Sequence, residues 1–105
     1  MGAQRVVFMG DALAQIRQFP EAVRKDAGAQ LHRLQLGLEP NDWKSMKSVG
    51  PGVREIRLRD ASGAFRVLYV ANIGDAVFVL HAFQKKSQQT AKHGLEIAAE
   101  RFKQI

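Results

Sequence analysis

The hydrophobic period of this chain switches once near its middle and switches back near its end, which restricts it to a mixed helix and sheet fold. Val23, Ala27, Leu31, Leu34 and Leu38 fall at offsets of four, eight, eleven and fifteen, one apolar helical stripe, with Arg24, Lys25, His32 and Arg33 off it. Pro20 suits the first turn of this helix, Glu21 complements its dipole, and Gly37 and Pro40 close it. Upstream, Arg5 to Met9 (RVVFM) reads as a strand, and Asp11 as the N-cap of a helix over Ala12 to Gln18 that carries Leu13 and Ile16 on one face.

From Trp43 the period changes to two. Trp43 to Met46 is expected as a short strand, and Gly50-Pro51-Gly52 as a turn. Arg54 to Arg59 alternates, with Ile56 and Leu58 on one face and Arg57 and Arg59 on the other. Asp60 to Ala64 reads as a hairpin loop. Phe65 to Asn72 and Ala76 to Phe83, joined by Ile73-Gly74-Asp75, are near-continuous β-rich runs, predicting interior strands of an antiparallel meander. Leu95, Ala98, Ala99 and Phe102 restore the helical period. The expected order is strand, helix, helix, three or four strands, helix, in a single domain over residues 1–105, since a chain of 105 residues supports one core and not two.

Charge narrows the function classes. Sixteen Lys and Arg against ten Asp and Glu give +6, and the whole excess lies between Trp43 and His93. That segment holds Lys44, Lys47, Arg54, Arg57, Arg59, Arg66, Lys85, Lys86 and Lys92 against Glu55, Asp60 and Asp75. The asymmetry points to a polyanion partner, nucleic acid or an acidic protein. No strongly basic amphipathic helix accompanies it, so no membrane partner is expected. With no cysteine there is no disulfide framework or thiol nucleophile. Met1 to Gly10 lacks the pattern of a secretory signal, and a cytoplasmic location is expected.

Arg57 and Arg59 share a strand face, and Arg66 lies inside the apolar run FRVLYVA. A charge in such a run must be paired or solvated. A structural pair with Glu55 or Asp60 and a functional role are both open for Arg66. Lys85 and Lys86 follow a hydrophobic strand, where a meander can bring one of them towards Arg57 and Arg66 on a concavity that suits a phosphate. His32, His81 and His93 lack metal-ligand spacing, so no metal or cofactor is expected. His81, in VLHAF, reads first as a satisfied core histidine and second as an acid or base. No Ser, His and Asp pattern supports a serine hydrolase. Tyr69 and Phe65 read as core; Trp43 is the better stacking candidate, although a packing anchor is the first reading for it as well.

The stretch MKSVGPGVREIRLRDASGAFRVLYV, followed by VFVLHAFQKKSQQT and a helix with AAERF, resembles the RelE/ParE superfamily of toxin components, in its phage-derived, HigB-like branch. The resemblance covers nearly the whole chain, and its most specific parts are GPGVREIRL, FRVLY and HAFQKK. It implies a small α/β protein of the α+β kind, with a helical hairpin packed on a small curved antiparallel sheet and a C-terminal helix. It also implies a type II toxin whose basic face enters the ribosomal A site and cleaves mRNA. ParE-like members inhibit gyrase instead, and a non-catalytic basic binding module of phage origin is a third reading. By position, Arg57 matches a basic strand residue of the cleavage site, Arg66 the arginine that opens the next strand, and Lys85 or Lys86 the basic pair after the last strand. Two departures stand out: the tyrosine in the final segment of some RelE members is missing, and Glu55 occupies the place of a second basic residue.

On this resemblance the expected catalytic set is Arg57, Arg66, Lys85 and Lys86. RNA contacts are expected from Arg59, Lys44, Lys47, His81, His93 and Lys92. Arg57 and Arg66 would clamp the phosphate and Lys85 or Lys86 would serve the leaving 5′-oxygen, with His81 a weaker substitute. The expected partners are an antitoxin, a helix-turn-helix protein from the adjacent gene, together with the ribosome and mRNA.

Overall fold

The computed structural model describes residues 3–105; Met1 and Gly2, part of the domain and N-terminal expectations above, lie outside the described residues. The elements run β1 (Arg5–Phe8), α1 (Ala12–Arg17), α2 (Glu21–Gln35), β2 (Trp43–Ser45), β3 (Val53–Asp60), β4 (Gly63–Ile73), β5 (Ala76–Lys85) and α3 (Gln88–Phe102). They form an α+β fold whose sheet order is β1-β5-β4-β3-β2. Strands β2 to β5 pair antiparallel as the meander predicts. The alternation did not specify how the first strand joins: β1 lies parallel to β5, with Arg5 opposite Ala76 and Phe8 opposite Val79.

The sheet is covered on both faces. On one side Ile56, Leu58, Phe65, Val67, Tyr69, Val77 and Val79 pack against Ile16 and Phe19 and against the α2 stripe of Val23, Ala27, Leu31 and Leu34. On the other, Val53, Leu68, Val70, Leu80 and Phe83 meet Leu95, Ala98, Ala99 and Phe102 of α3. Each fully buried Leu or Val in these layers contributes about 1.5–3 kcal/mol relative to exposure. No helix among the described residues is long and apolar enough to cross a membrane.

Three local expectations need correction. The stripe of α2 ends at Leu34, because Gly37 takes a left-handed conformation (φ 79°) while Gly37 N–H donates to Leu34 and Leu38 N–H donates to Arg33. Leu38, expected on the stripe, is instead 48% exposed beyond the helix. Asp11 stands at the N-cap position of α1 but its side chain does not cap it; Arg101, on the far helix α3, donates to the Asp11 carboxylate at 2.7 Å instead. Lys85 ends β5 rather than following it. A side-chain cap does occur on α3, where Ser87 Oγ accepts from Thr90 N–H.

Candidate functional site

Register gives the geometry of the basic residues. Arg57 pairs with Arg66 and Arg66 with Phe83; in the next row towards the β3–β4 turn, Arg59 pairs with Ala64 and Ala64 with Lys85. Alternation places Arg57, Arg59, Arg66 and Lys85 on one face of three adjacent strands, the face that also carries Leu68 and Phe83. Lys85 is the diagonal neighbour of Arg66, a backbone separation of about 7–8 Å that two long side chains close easily. The apolar contacts of α3 fall on Val53, Leu68, Val70, Leu80 and Phe83, leaving this end of the face open. Arg57 and Arg59 are exposed and Lys85 is half-buried.

Two arginines directly opposite one another repel unless an anion intervenes. Glu55, two residues before Arg57 on the same face, provides it. Its Oε1 lies 3.5 Å from Arg66 Nε and 3.7 Å from Arg57 Nε. Glu55 and Arg66 have side chains only 10% and 11% exposed, whereas Arg57 is 40% exposed. Arg66 also donates from Nη1 to the Phe65 carbonyl at 3.1 Å. Of the two partners open for Arg66, Glu55 is therefore the one it meets; the Asp60 carboxylate caps its own turn by accepting from Ser62 N–H at 2.8 Å. With Nε turned to Glu55, the terminal nitrogens of Arg57 and Nη2 of Arg66, whose Nη1 serves Phe65, are the donors left for an anion.

The remaining expected residues are placed unevenly. Lys44 is exposed on β2, opposite Glu55 in register, and so joins the same face at its edge. Lys47 is exposed in the turn after β2. Lys86 does not share the Lys85 position: it lines a recess with Gln18, Phe19 and Gln84. Lys92 and His93 are exposed on α3, in another recess with Ser87 and Glu96.

His81 requires a correction. Paired with Leu68 and two residues before Phe83, His81 faces α3, where it is 6% exposed and unable to face RNA. Arg101 reaches it there, with Nη1 3.2 Å from His81 Nδ1 and 2.9 Å from the Leu80 carbonyl. Burial first, and then the Arg101 charge, push the imidazole down to about 4, so it is neutral near pH 7. The same Arg101 lowers the Asp11 carboxyl to about 2 through its hydrogen bond. Sequence reasoning missed Arg101 because its partners lie 90, 21 and 20 residues away. Trp43 is half-buried with the Arg54 guanidinium 3.9 Å above its ring, and Tyr69 and Phe65 are core.

A meander flanked by an N-terminal helix pair on one face and a C-terminal helix on the other, with β1 added in parallel, defines a RelE-like fold. The structure of E. coli toxin RelE, as a double arginine-to-alanine mutant in the free state, superposes with a TM-score of 0.62 at 21% identity, over 90% of this chain and 96% of that one. Residues 14–103 match the family described as Phage derived protein Gp49-like (DUF891). The chain belongs to that family, a RelE/HigB-type toxin family. No curated protein sequence matches it.

Proposed function

We propose that this protein, as a single toxin domain, is the toxin of a type II pair and cuts mRNA on the ribosome. The observation that carries the reading is the row of Arg57, Arg59, Arg66 and Lys85 on one sheet face, Arg57 and Arg59 exposed, Lys85 half-buried and Arg66 nearly buried, with the Glu55 carboxylate among them. Such a row binds a phosphate and leaves little else for it to recognise. In the proposed reaction the RNA 2′-oxygen attacks the adjacent phosphorus in line, its proton passing to water, and the bond to the 5′-oxygen breaks. Arg57 and Arg66 hold the non-bridging oxygens and stabilise the added charge. Lys85 gives a proton to the leaving 5′-oxygen. The products are a 2′,3′-cyclic phosphate and a 5′-hydroxyl.

No sulfur, metal or buried acid and base pair is required, because the ribosome supplies orientation and the protein supplies charge. In this reading the toxin works in the cytoplasm, and an antitoxin from the adjacent gene, a helix-turn-helix protein, neutralises it by covering the basic face or holding it off the ribosome. The test is induced expression without the partner, with mRNA 5′ ends mapped and gyrase supercoiling assayed in parallel. Growth arrest with new 5′ ends inside translated frames is the expected result. Arrest with inhibited supercoiling and intact mRNA would replace this reading with gyrase inhibition, and normal growth at high expression would remove it.

A further inference from the structure

The opposite face of the sheet carries a second polar cluster that RNA cleavage does not use. Arg54 and Tyr69 are register partners on β3 and β4, and both line a cavity of about 310 Å³ with Leu34, Leu38 and Glu39. Tyr69 is 1% exposed and its hydroxyl has no hydrogen-bond partner. Burial raises its pKa and keeps it neutral; Arg54 acts the other way as a loose donor to the hydroxyl oxygen, outside hydrogen-bond geometry, and Glu39 raises it further, so the hydroxyl proton is left for an acceptor. A buried hydroxyl whose proton meets no acceptor costs folding stability and is a ready donor for a ligand.

Glu39 shows what kind of group fits. Its carboxylate approaches Arg54 Nη1 at 3.8 Å from a side chain that is 64% exposed, a loose contact that a better-placed carboxylate displaces. The Arg54 guanidinium is also pre-oriented by stacking on Trp43. Around the mouth lie Leu36, Leu38 and Ile73, at 56%, 48% and 40% exposure; Leu38 is itself in the wall, and the other two adjoin the wall residues Gly37 and Asn72. A central Arg, Tyr and Trp group ringed by exposed aliphatic side chains has the composition of a protein-binding hot spot.

We infer that this face docks a polypeptide segment presenting one carboxylate side chain between apolar residues: the carboxylate takes Arg54 and accepts from the Tyr69 hydroxyl, and its neighbours cover Leu36, Leu38 and Ile73. The aliphatic rim favours a polypeptide over a free small acid. An RNA phosphate has the four-cation row on the other face, and the aliphatic rim here offers it nothing. The inference stands apart from the RNA reading, since the two sites share no residue.

Trp43 is the one tryptophan of the chain, so its fluorescence reports on the site directly. The full-length protein is titrated with N-acetyl-leucyl-glutamyl-leucinamide, with the glutaminyl analogue, and with succinate. The glutamyl peptide should saturate and bind about tenfold more tightly than the glutaminyl one. Arg54→Gln should erase that preference. Tyr69→Phe should weaken glutamyl binding about fivefold while leaving the thermal midpoint unchanged or higher, a combination that a purely structural tyrosine does not give. Lys25→Ala, on the exposed face of α2 and outside both sites, should bind like the wild type. No fluorescence response, equal affinity for the two peptides, or unchanged binding in Tyr69→Phe would each overturn the inference; succinate binding as tightly as the peptide would overturn it in favour of a small-acid pocket.

Discussion

Glu55 and Arg66 are diagonal neighbours across β3 and β4, with Oε1 of one 3.5 Å from Nε of the other and both side chains nearly buried. An ion pair this enclosed is costly to break on one side only. Arg66→Ala should therefore destabilise the fold by about 1–3 kcal/mol in urea unfolding, because the Glu55 carboxylate keeps only Arg57 at 3.7 Å. Arg59→Ala, on an exposed side chain, should stay within about 0.5 kcal/mol. A double-mutant cycle of Glu55→Gln and Arg66→Gln should give a coupling of about 1 kcal/mol. A coupling indistinguishable from zero would mean that the pair does not hold in solution.

The same carboxylate affects the proposed reaction. If Glu55 fixes the guanidiniums so that their terminal nitrogens meet the phosphate, Glu55→Gln should lower kcat for cleavage by about tenfold or more with little change in KM. Tighter RNA binding with unchanged kcat would show instead that Glu55 only offsets positive charge.

Gly94 lies inside α3, and a Cβ there would overlap the ring of Phe83. Helix propensity favours alanine by about 1 kcal/mol, but the ring is held between α3 and His81, with which it stacks at 5.7 Å. Overpacking should win, and Gly94→Ala should lower stability by about 1–3 kcal/mol. Gly28, whose Cβ would meet nothing, is the control: Gly28→Ala should stabilise α2. Equal gains from both would show that α3 moves away from the sheet without cost.

The stripe of α2 and the meander were legible because each depends on neighbours in sequence: Val23, Ala27, Leu31 and Leu34 repeat with the helix, and Ile56 and Leu58 alternate against Arg57 and Arg59. The common face of Arg57 and Arg59 followed from that alternation. Which lysine joins them did not, because Lys85 and Lys86 are adjacent and only the length of β5 and its extra residue decide which one shares the face of Arg66. The burial of His81 agrees with its first reading as a core histidine and removes the RNA contact expected of it. The parallel seat of β1 and the bond from Arg101 to Asp11 join opposite ends of the chain and leave no local periodic signal.

His81 also gives the fold a dependence on pH. Its folded value of about 4 lies below the ordinary 6.5, so the unfolded chain takes up the proton first as pH falls. The contribution is complete above about pH 6.5, declines through the window between, and is gone below about pH 4, a loss of about 3 kcal/mol. A protonated imidazole there would be repelled by the Arg101 guanidinium and by His93, with the Asp11 carboxylate acting the other way. The lowered Asp11 carboxyl adds a second stabilising contribution, present above about 3.8 and lost as pH falls through about 2. Chemical denaturation from pH 7.5 to 4 should show stability falling with acid, and His81→Gln should flatten that slope. An identical slope in the variant would place the titrating group elsewhere.

In the proposed reaction the row of Arg57, Arg66 and Lys85 performs the chemistry, and basic residues elsewhere only assist association. This assignment is tested most directly by single-turnover cleavage of mRNA on programmed ribosomes, comparing the wild type with Lys85→Ala, Lys86→Ala and Lys92→Ala at saturating protein. Lys85→Ala should lose at least about a hundredfold in rate. Lys86→Ala and Lys92→Ala should cleave at close to the wild-type rate, with weaker binding that shows the smaller salt dependence of a lost phosphate contact. Equal, small defects in all three variants, or no cleavage by the wild type, would contradict the account.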